Sequence, residues 1–146
     1  MPVSKQLQMV ADWERRKEQK MATDYQLAQQ NVVDNQNKLT GLEQYRVNYL
    51  KEGIRKGQLG LAAKNYGQHQ SFVGKIDAAC EQQTKQVSNA LVVAEQRKTQ
   101  WLAQQRKRKA VEMLLDKQAF KIQQKQDRAE QQMLDELALQ KFIRSK

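Results

Sequence analysis

Proline is missing from all but position 2 of this 146-residue chain, and the six glycines are confined to the stretch between Gly41 and Gly74. Outside that window nothing interrupts a helix. A single cysteine, Cys80, excludes an internal disulfide, and with only one histidine, His69, there are too few ligands for a metal site. Aromatic residues make up 6% and hydrophobic residues 39%, little for a globular core but enough for the seam between two helices. No run of about 18 apolar residues occurs, which excludes a membrane-spanning helix, and no apolar N-terminal segment marks a signal peptide. A soluble, reducing compartment is the expectation. No cofactor is implied.

Acidic residues are scarce as well: 16 Asp and Glu against 26 Lys and Arg give a net charge of +10. The excess is concentrated in positions 97–125, where nine basic residues face only Glu112 and Asp116. Within it lies the run Arg106, Lys107, Arg108 and Lys109. The natural partners of such a stretch are acidic surfaces.

What the chain has in quantity is Gln, Lys, Arg, Glu, Leu and Ala, all tolerant of helix. Met21, Tyr25, Ala28, Val32, Asn35, Leu39, Leu42, Arg46 and Tyr49 step by four and three, the seam spacing of a left-handed coiled coil. Asn35 and Arg46 are its polar interruptions. Before Met21 the pattern thins to Leu7 and Val10 or Ala11, with Glu14 and Glu18 on the expected seam. Ser4 is a candidate N-cap. A second column, counted by sevens, reads Tyr66, Val73, Cys80, Val87, Ala94, Trp101, Arg108, Leu115, Ile122, Ala129, Glu136 and Ile143. Its companion, from His69 through Ile76, Gln83, Ala90, Arg97 and Gln104 onward, is far more polar. Leu91, Leu114 and Leu137 are candidates to widen this second seam.

These patterns predict an all-α, long two-helix antiparallel coiled-coil hairpin, one domain over 1–146. The first helix covers about 4–51, a glycine-rich turn 52–60, and the second helix 61–143. Gly53, Gly57 and Gly60 are expected to form the turn because each glycine weakens a helix. A reversal near Lys56 sets residue i opposite 112 − i. Residues from about 110 onward then extend as an unpaired helix about 55 Å long at 1.5 Å per residue. That overhang carries Met113, Leu114, Leu115, Ile122, Met133, Leu134, Leu137, Leu139, Phe142 and Ile143, an apolar face that reads as a docking segment for a partner, with a shifted register or self-association as the alternative.

Catalysis has no foothold. There is no Gly-rich phosphate loop and no Gly-Lys-Ser/Thr. His69 and Cys80 fall in seam columns, and carboxylates such as Asp135 and Glu136 lie on a helix with no cleft to desolvate them. The chain reads as a non-enzyme that acts by touching other proteins. With no base-reading module, nucleic acid is not an expected partner. Around the turn, Tyr45 and Tyr49 lie four apart, as do Phe72 and Ile76, with Ala79 beyond. Phe72 stands one place off the seam column, which leaves its ring partly exposed as a contact point.

The segment Leu42-Glu43-Gln44-Tyr45-Arg46-Val47-Asn48-Tyr49, followed by Asn65-Tyr66, Phe72-Val73, Ile76, Ala79 and Gln83, resembles the flagellar FliJ family, small basic coiled-coil proteins of the flagellar type III export apparatus. Length, basicity and layout agree over nearly the whole chain. The resemblance implies a fold similar to the two-helix central stalk of rotary ATPases. It also implies that the end holding the termini inserts into the hexameric export ATPase and promotes ring assembly. A patch near the turn would contact the cytoplasmic domain of the membrane export gate, placing the protein peripherally on the cytoplasmic face of the inner membrane. Carried over by position, the patch comprises Tyr45, Tyr49, Phe72, Ile76 and Ala79, whereas Gln83 departs from the family pattern. Escort of empty export chaperones is implied too, without assignable residues. The ATPase contact is expected at Arg106, Lys107, Arg108, Lys109, Leu115 and Ile122, about 75 Å from the patch for some 50 paired residues. The alternatives are an injectisome stalk protein, a self-associating structural coiled coil, and a basic nucleic-acid-binding helix.

Overall fold

The computed structural model describes residues 3–58 and 63–145. Two helices, α1 (Lys5–Gln58) and α2 (Ala63–Arg144), form an all-α two-helix hairpin, with no strand among the described residues. Ser4 caps α1: its hydroxyl accepts from the Leu7 amide at 3.3 Å, which satisfies one of the free N–H groups of the first turn. Contacts divide the chain into two units, Met1–Lys20 with Leu102–Lys146, and Met21–Trp101.

In the Met21–Trp101 unit the four-three pattern of α1 is the packed face. Ala28 and Val32 are buried, and the other positions from Met21 to Tyr49 in that series are half-buried. They meet Val73, Ile76, Cys80, Gln83, Val87, Ala90, Ala94 and Trp101 of α2, of which Ile76, Ala90 and Ala94 are buried. Ala28, Val32, Ala90 and Ala94 form one cluster. Small side chains here let the backbones approach, and no large side chain among the described residues is fully buried. Each Val or Ile so placed contributes about 1.5–3 kcal/mol, which makes a seam of modest strength. The polar interruptions are matched across it. Gln83 donates to the backbone and side-chain oxygens of Asn35, both at 2.9 Å, and Arg46 pairs with Asp77.

In the unit that holds both termini, Leu7, Ala11, Glu14 and Glu18 of α1 face Gln104, Arg108, Val111, Leu115, Gln118 and Ile122 of α2. Ala11 is fully buried. Gln118 accepts from the Ser4 amide at 2.9 Å, which fixes where α1 begins along α2. Every described residue of 123–145 is exposed.

Three sequence expectations change. Helix α1 does not stop at 51: Gly53 and Gly57 are helical and the helix runs to Gln58, while Leu59 and Gly60 lie outside the described residues. A helical glycine costs about 1 kcal/mol relative to alanine, but Gly53 is where the His69 imidazole packs. A Cβ at that position would collide with the ring. Second, the longer α1 shifts the register. Asn35, expected opposite Asp77, meets Gln83, and Ser4, expected opposite Arg108, meets Gln118. The region without an α1 partner therefore starts after Ile122 rather than near 110. Third, Leu91, Leu114 and Leu137 do not widen the seam; they are 49%, 55% and 54% exposed. Leu91 and Leu114 stand about 100° round the helix from the packed Ala90 and Leu115, and Leu137 lies in the stretch without an α1 partner.

Candidate functional site

The four-residue spacing of Tyr45 and Tyr49 stacks their rings along one face of α1, with centroids 6.5 Å apart. Phe72 of α2 completes the group, edge-on to Tyr45 at 6.3 Å and tilted against Tyr49 at 4.7 Å. His69, one turn before Phe72, lies flat on Tyr49 at 4.7 Å. The result is a continuous four-ring ladder, and the offset and edge contacts in it suit ring quadrupoles. Tyr45 is half exposed and Phe72 is 36% exposed, so the outer rings present a partly solvated aromatic edge. Ala79, two turns beyond Phe72, is exposed as well.

Ile76 belongs elsewhere. At 5% exposure it is core, beneath the patch rather than on it. Its column looked polar in sequence, yet it supplies the buried side of α2 at Ile76 and Ala90. Gln83, half-buried and bonded to Asn35, holds register. His69 was the ring that sequence reasoning left out of the patch. Its signal in the sequence is the glycine opposite it, Gly53, which also suits a turn.

The second candidate surface lies in the unit with the termini. Arg106, Lys107 and Lys109 are exposed cations. Arg108 is not free: its guanidinium donates to Glu18 at 3.2 Å and to Glu112 at 2.9 Å. Glu112 also accepts from Arg15 at 2.8 Å, and Arg15 in turn donates to Asp12 at 2.7 Å. Five charges of alternating sign thus tie α1 to α2. The hydrogen bonds that Arg108 donates to Glu18 and then to Glu112 raise its pKa. The bonds from Arg15 and Arg108 hold the Glu112 carboxyl below its ordinary value. Gln104, only 3% exposed, donates to the Glu14 backbone oxygen at 3.1 Å and to its carboxylate, and so lowers the Glu14 pKa. Leu115 and Ile122 are half-buried against the first turns of α1. The exposed large apolar side chains of α2 in this unit include Met113, Leu114, Phe120, Met133, Leu134, Leu137, Leu139 and Ile143.

The two lowered carboxyls give this unit an acid dependence. In the unfolded chain both groups titrate near 4.5. The unfolded state therefore binds more protons as pH falls, and the stability they contribute is complete above about pH 5.5 and disappears below 4.5. Alanine-methyl NMR is expected to show Ala11 leaving its packed environment on acidification before Ala28 and Ala90 do. Simultaneous loss of all three would refute a local acid weakness.

Among the described residues no helix carries a stretch long and apolar enough to cross a membrane, and no group of His, Cys, Asp and Glu could hold a metal. No curated protein and no solved structure matches this chain. The sequence profile described as flagellar FliJ protein matches residues 4–146, a span that takes in the aromatic ladder, the charge network and the whole of both helices. The chain belongs to the flagellar FliJ family.

Proposed function

We propose that this chain works in flagellar type III protein export as a non-enzymatic stalk. The unit holding the termini enters the hexameric export ATPase and promotes its ring assembly, and the aromatic ladder docks on the cytoplasmic domain of the membrane export gate. Gate binding would hold the protein on the cytoplasmic face of the inner membrane. Export-chaperone escort belongs to the same reading, carried by no residue identified in this chain.

The observation that carries the ATPase contact is the exposure of 123–145 in a family member. A helix that displays Met133, Leu134, Leu137, Leu139 and Ile143 to water has a packing face that α1 does not cover. Arg106, Lys107 and Lys109 are exposed and can meet an acidic ring surface. Arg108, Leu115 and Ile122 support that contact from behind, because they are occupied with α1. For the gate, the exposed edges of Tyr45 and Phe72 beside Ala79 offer rigid apolar area of the kind that anchors interfaces.

The test is the hydrolysis rate of the cognate export ATPase at physiological salt, with and without this protein. Stimulation together with ring formation is the expected result. No change in rate with folded protein present, accompanied by helicity that rises with concentration, would replace the stalk by a self-associating coiled coil.

A further inference from the structure

On the first turns of α1, Lys5, Met9, Trp13, Arg16 and Lys20 follow one another at spacings of four, four, three and four, so they share one helix face. The opposite face, Leu7, Ala11, Glu14 and Glu18, is the one packed on α2. Met9 is 69% exposed and Trp13 is 56% exposed, with Val10 beside them. An indole and a thioether standing in water on an otherwise polar helix are not explained by the seam.

The charges around them are sorted. Glu14 and Glu18 turn inward to Gln104 and Arg108. Asp12, at the rim of the stripe, is neutralised by Arg15 at 2.7 Å. Lys17 pairs with Glu14 at 3.2 Å while its ammonium lies 5.5 Å from the Trp13 ring centroid. Lys5, Arg16 and Lys20 remain exposed, with no carboxylate partner among the described residues. The outward face is thus an apolar centre of Met9, Val10 and Trp13 with unneutralised cations at both ends.

A protein hot spot surrounds its apolar anchor with neutral groups that exclude water. Here the anchor is bracketed by long, mobile cations, which fit a laterally uniform negative surface better than one fixed pocket. Tryptophan at the headgroup depth, with Lys and Arg stems reaching to phosphate, is how an amphipathic helix lies on an anionic bilayer. We propose that this face of α1 docks directly on anionic phospholipid headgroups, lying along the surface without spanning it. The inference goes beyond the export reading, in which the gate alone brings the protein to the membrane, and it concerns the protein outside the ATPase ring, because the unit that carries this face is the one that enters the ring in that reading.

Trp13 is its own reporter. In the full chain with Trp101→Phe, which leaves a ring against Tyr25, all tryptophan emission comes from position 13. Mixed phosphatidylglycerol–phosphatidylcholine vesicles are expected to shift that emission to the blue, brominated lipid to quench it, and added salt to reverse both. Pure phosphatidylcholine vesicles are expected to do neither. The combined change Lys5→Gln, Arg16→Gln and Lys20→Gln should weaken vesicle binding about a hundredfold, at about a factor of five for each lost cation. These side chains make no described contact with α2, so circular dichroism should be unchanged. An unshifted emission, an equal response to neutral vesicles, or full binding by the triple variant would overturn the proposal. A Trp13 response to the export ATPase alone, with none to vesicles, would overturn it too and assign the stripe to a protein partner.

Discussion

Replacing Phe72 with alanine is expected to weaken binding to the export gate by about thirtyfold, the effect of removing a typical aromatic hot spot of about 2 kcal/mol, with helicity nearly intact. The ring is 36% exposed, so most of what it does lies between packing and recognition. Internally its loss removes the contacts with Tyr45 and Tyr49, worth about 0.5–1.5 kcal/mol each in ring–ring attraction. Externally it removes one of the two partly exposed rings at the ladder's edge, leaving Tyr45 without its partner from α2. Ile76→Ala is the control that keeps the test sharp. Ile76 is core, and its truncation should cost about 2–4 kcal/mol of stability. Its effect on gate binding should follow the unfolded fraction and vanish when temperature is lowered. Binding by surface plasmon resonance, read beside thermal melts, separates the two. If Phe72→Ala binds the gate normally, the ladder is hairpin packing and no more. If it lowers gate binding and ATPase stimulation equally, the assignment of separate surfaces fails.

The residues that were legible in the sequence are those whose signal is periodic. The four-three series from Met21 to Tyr49 could be read because apolar side chains outnumber its interruptions, and it is the packed face of α1. The column through Val73, Cys80, Val87, Ala94 and Trp101 was equally plain. The companion column misled because Gln83 and Gln104 look solvent-facing until their partners are known. One is bonded to Asn35 and the other to Glu14, themselves counted as flaws in the first seam. A polar residue on a seam is a defect alone and a register mark in a pair, and a single helix read by itself cannot distinguish these cases. The turn was misplaced for a related reason. Glycine signals either a reversal or a close approach, and at Gly53 it is the second, made necessary by an imidazole sixteen positions further along. Moving the reversal beyond Gln58 then changes every cross-helix partner without changing which face of either helix is buried. For the same reason Arg108 reads both as a polar break in the second column and as a cation of the basic run. Its engagement with Glu18 depends on a register that composition does not encode.

Reversing the charge of that residue, Arg108→Glu, is expected to release the first turns of α1. The change puts a third carboxylate beside Glu18 and Glu112 and leaves Arg15 as the only cation of the network still bridging to α2. Like charges at this spacing repel, and the surrounding apolar contact, chiefly Leu7, Ala11, Leu115 and Ile122, is small. Trypsin reports the release directly because Arg15, Arg16, Lys17 and Lys20 lie in the segment set free. Cleavage there should quicken about tenfold, following the open population as expected for opening that is fast relative to proteolysis. Cleavage within Met21–Trp101 should keep its rate, because Ala28, Val32, Ala90 and Ala94 hold that unit without help from the network. The swapped pair, Glu18→Arg with Arg108→Glu, restores opposite charges across the helices and should restore protection. The same swap decides what Arg108 does for the ATPase. If stimulation returns along with protection, the arginine acts by holding α1 on α2, and Arg106, Lys107 and Lys109 are the cations that meet the ring. If protection returns while stimulation stays lost, the guanidinium itself reaches the ATPase, and its pairing with Glu18 is a resting arrangement that the ring displaces.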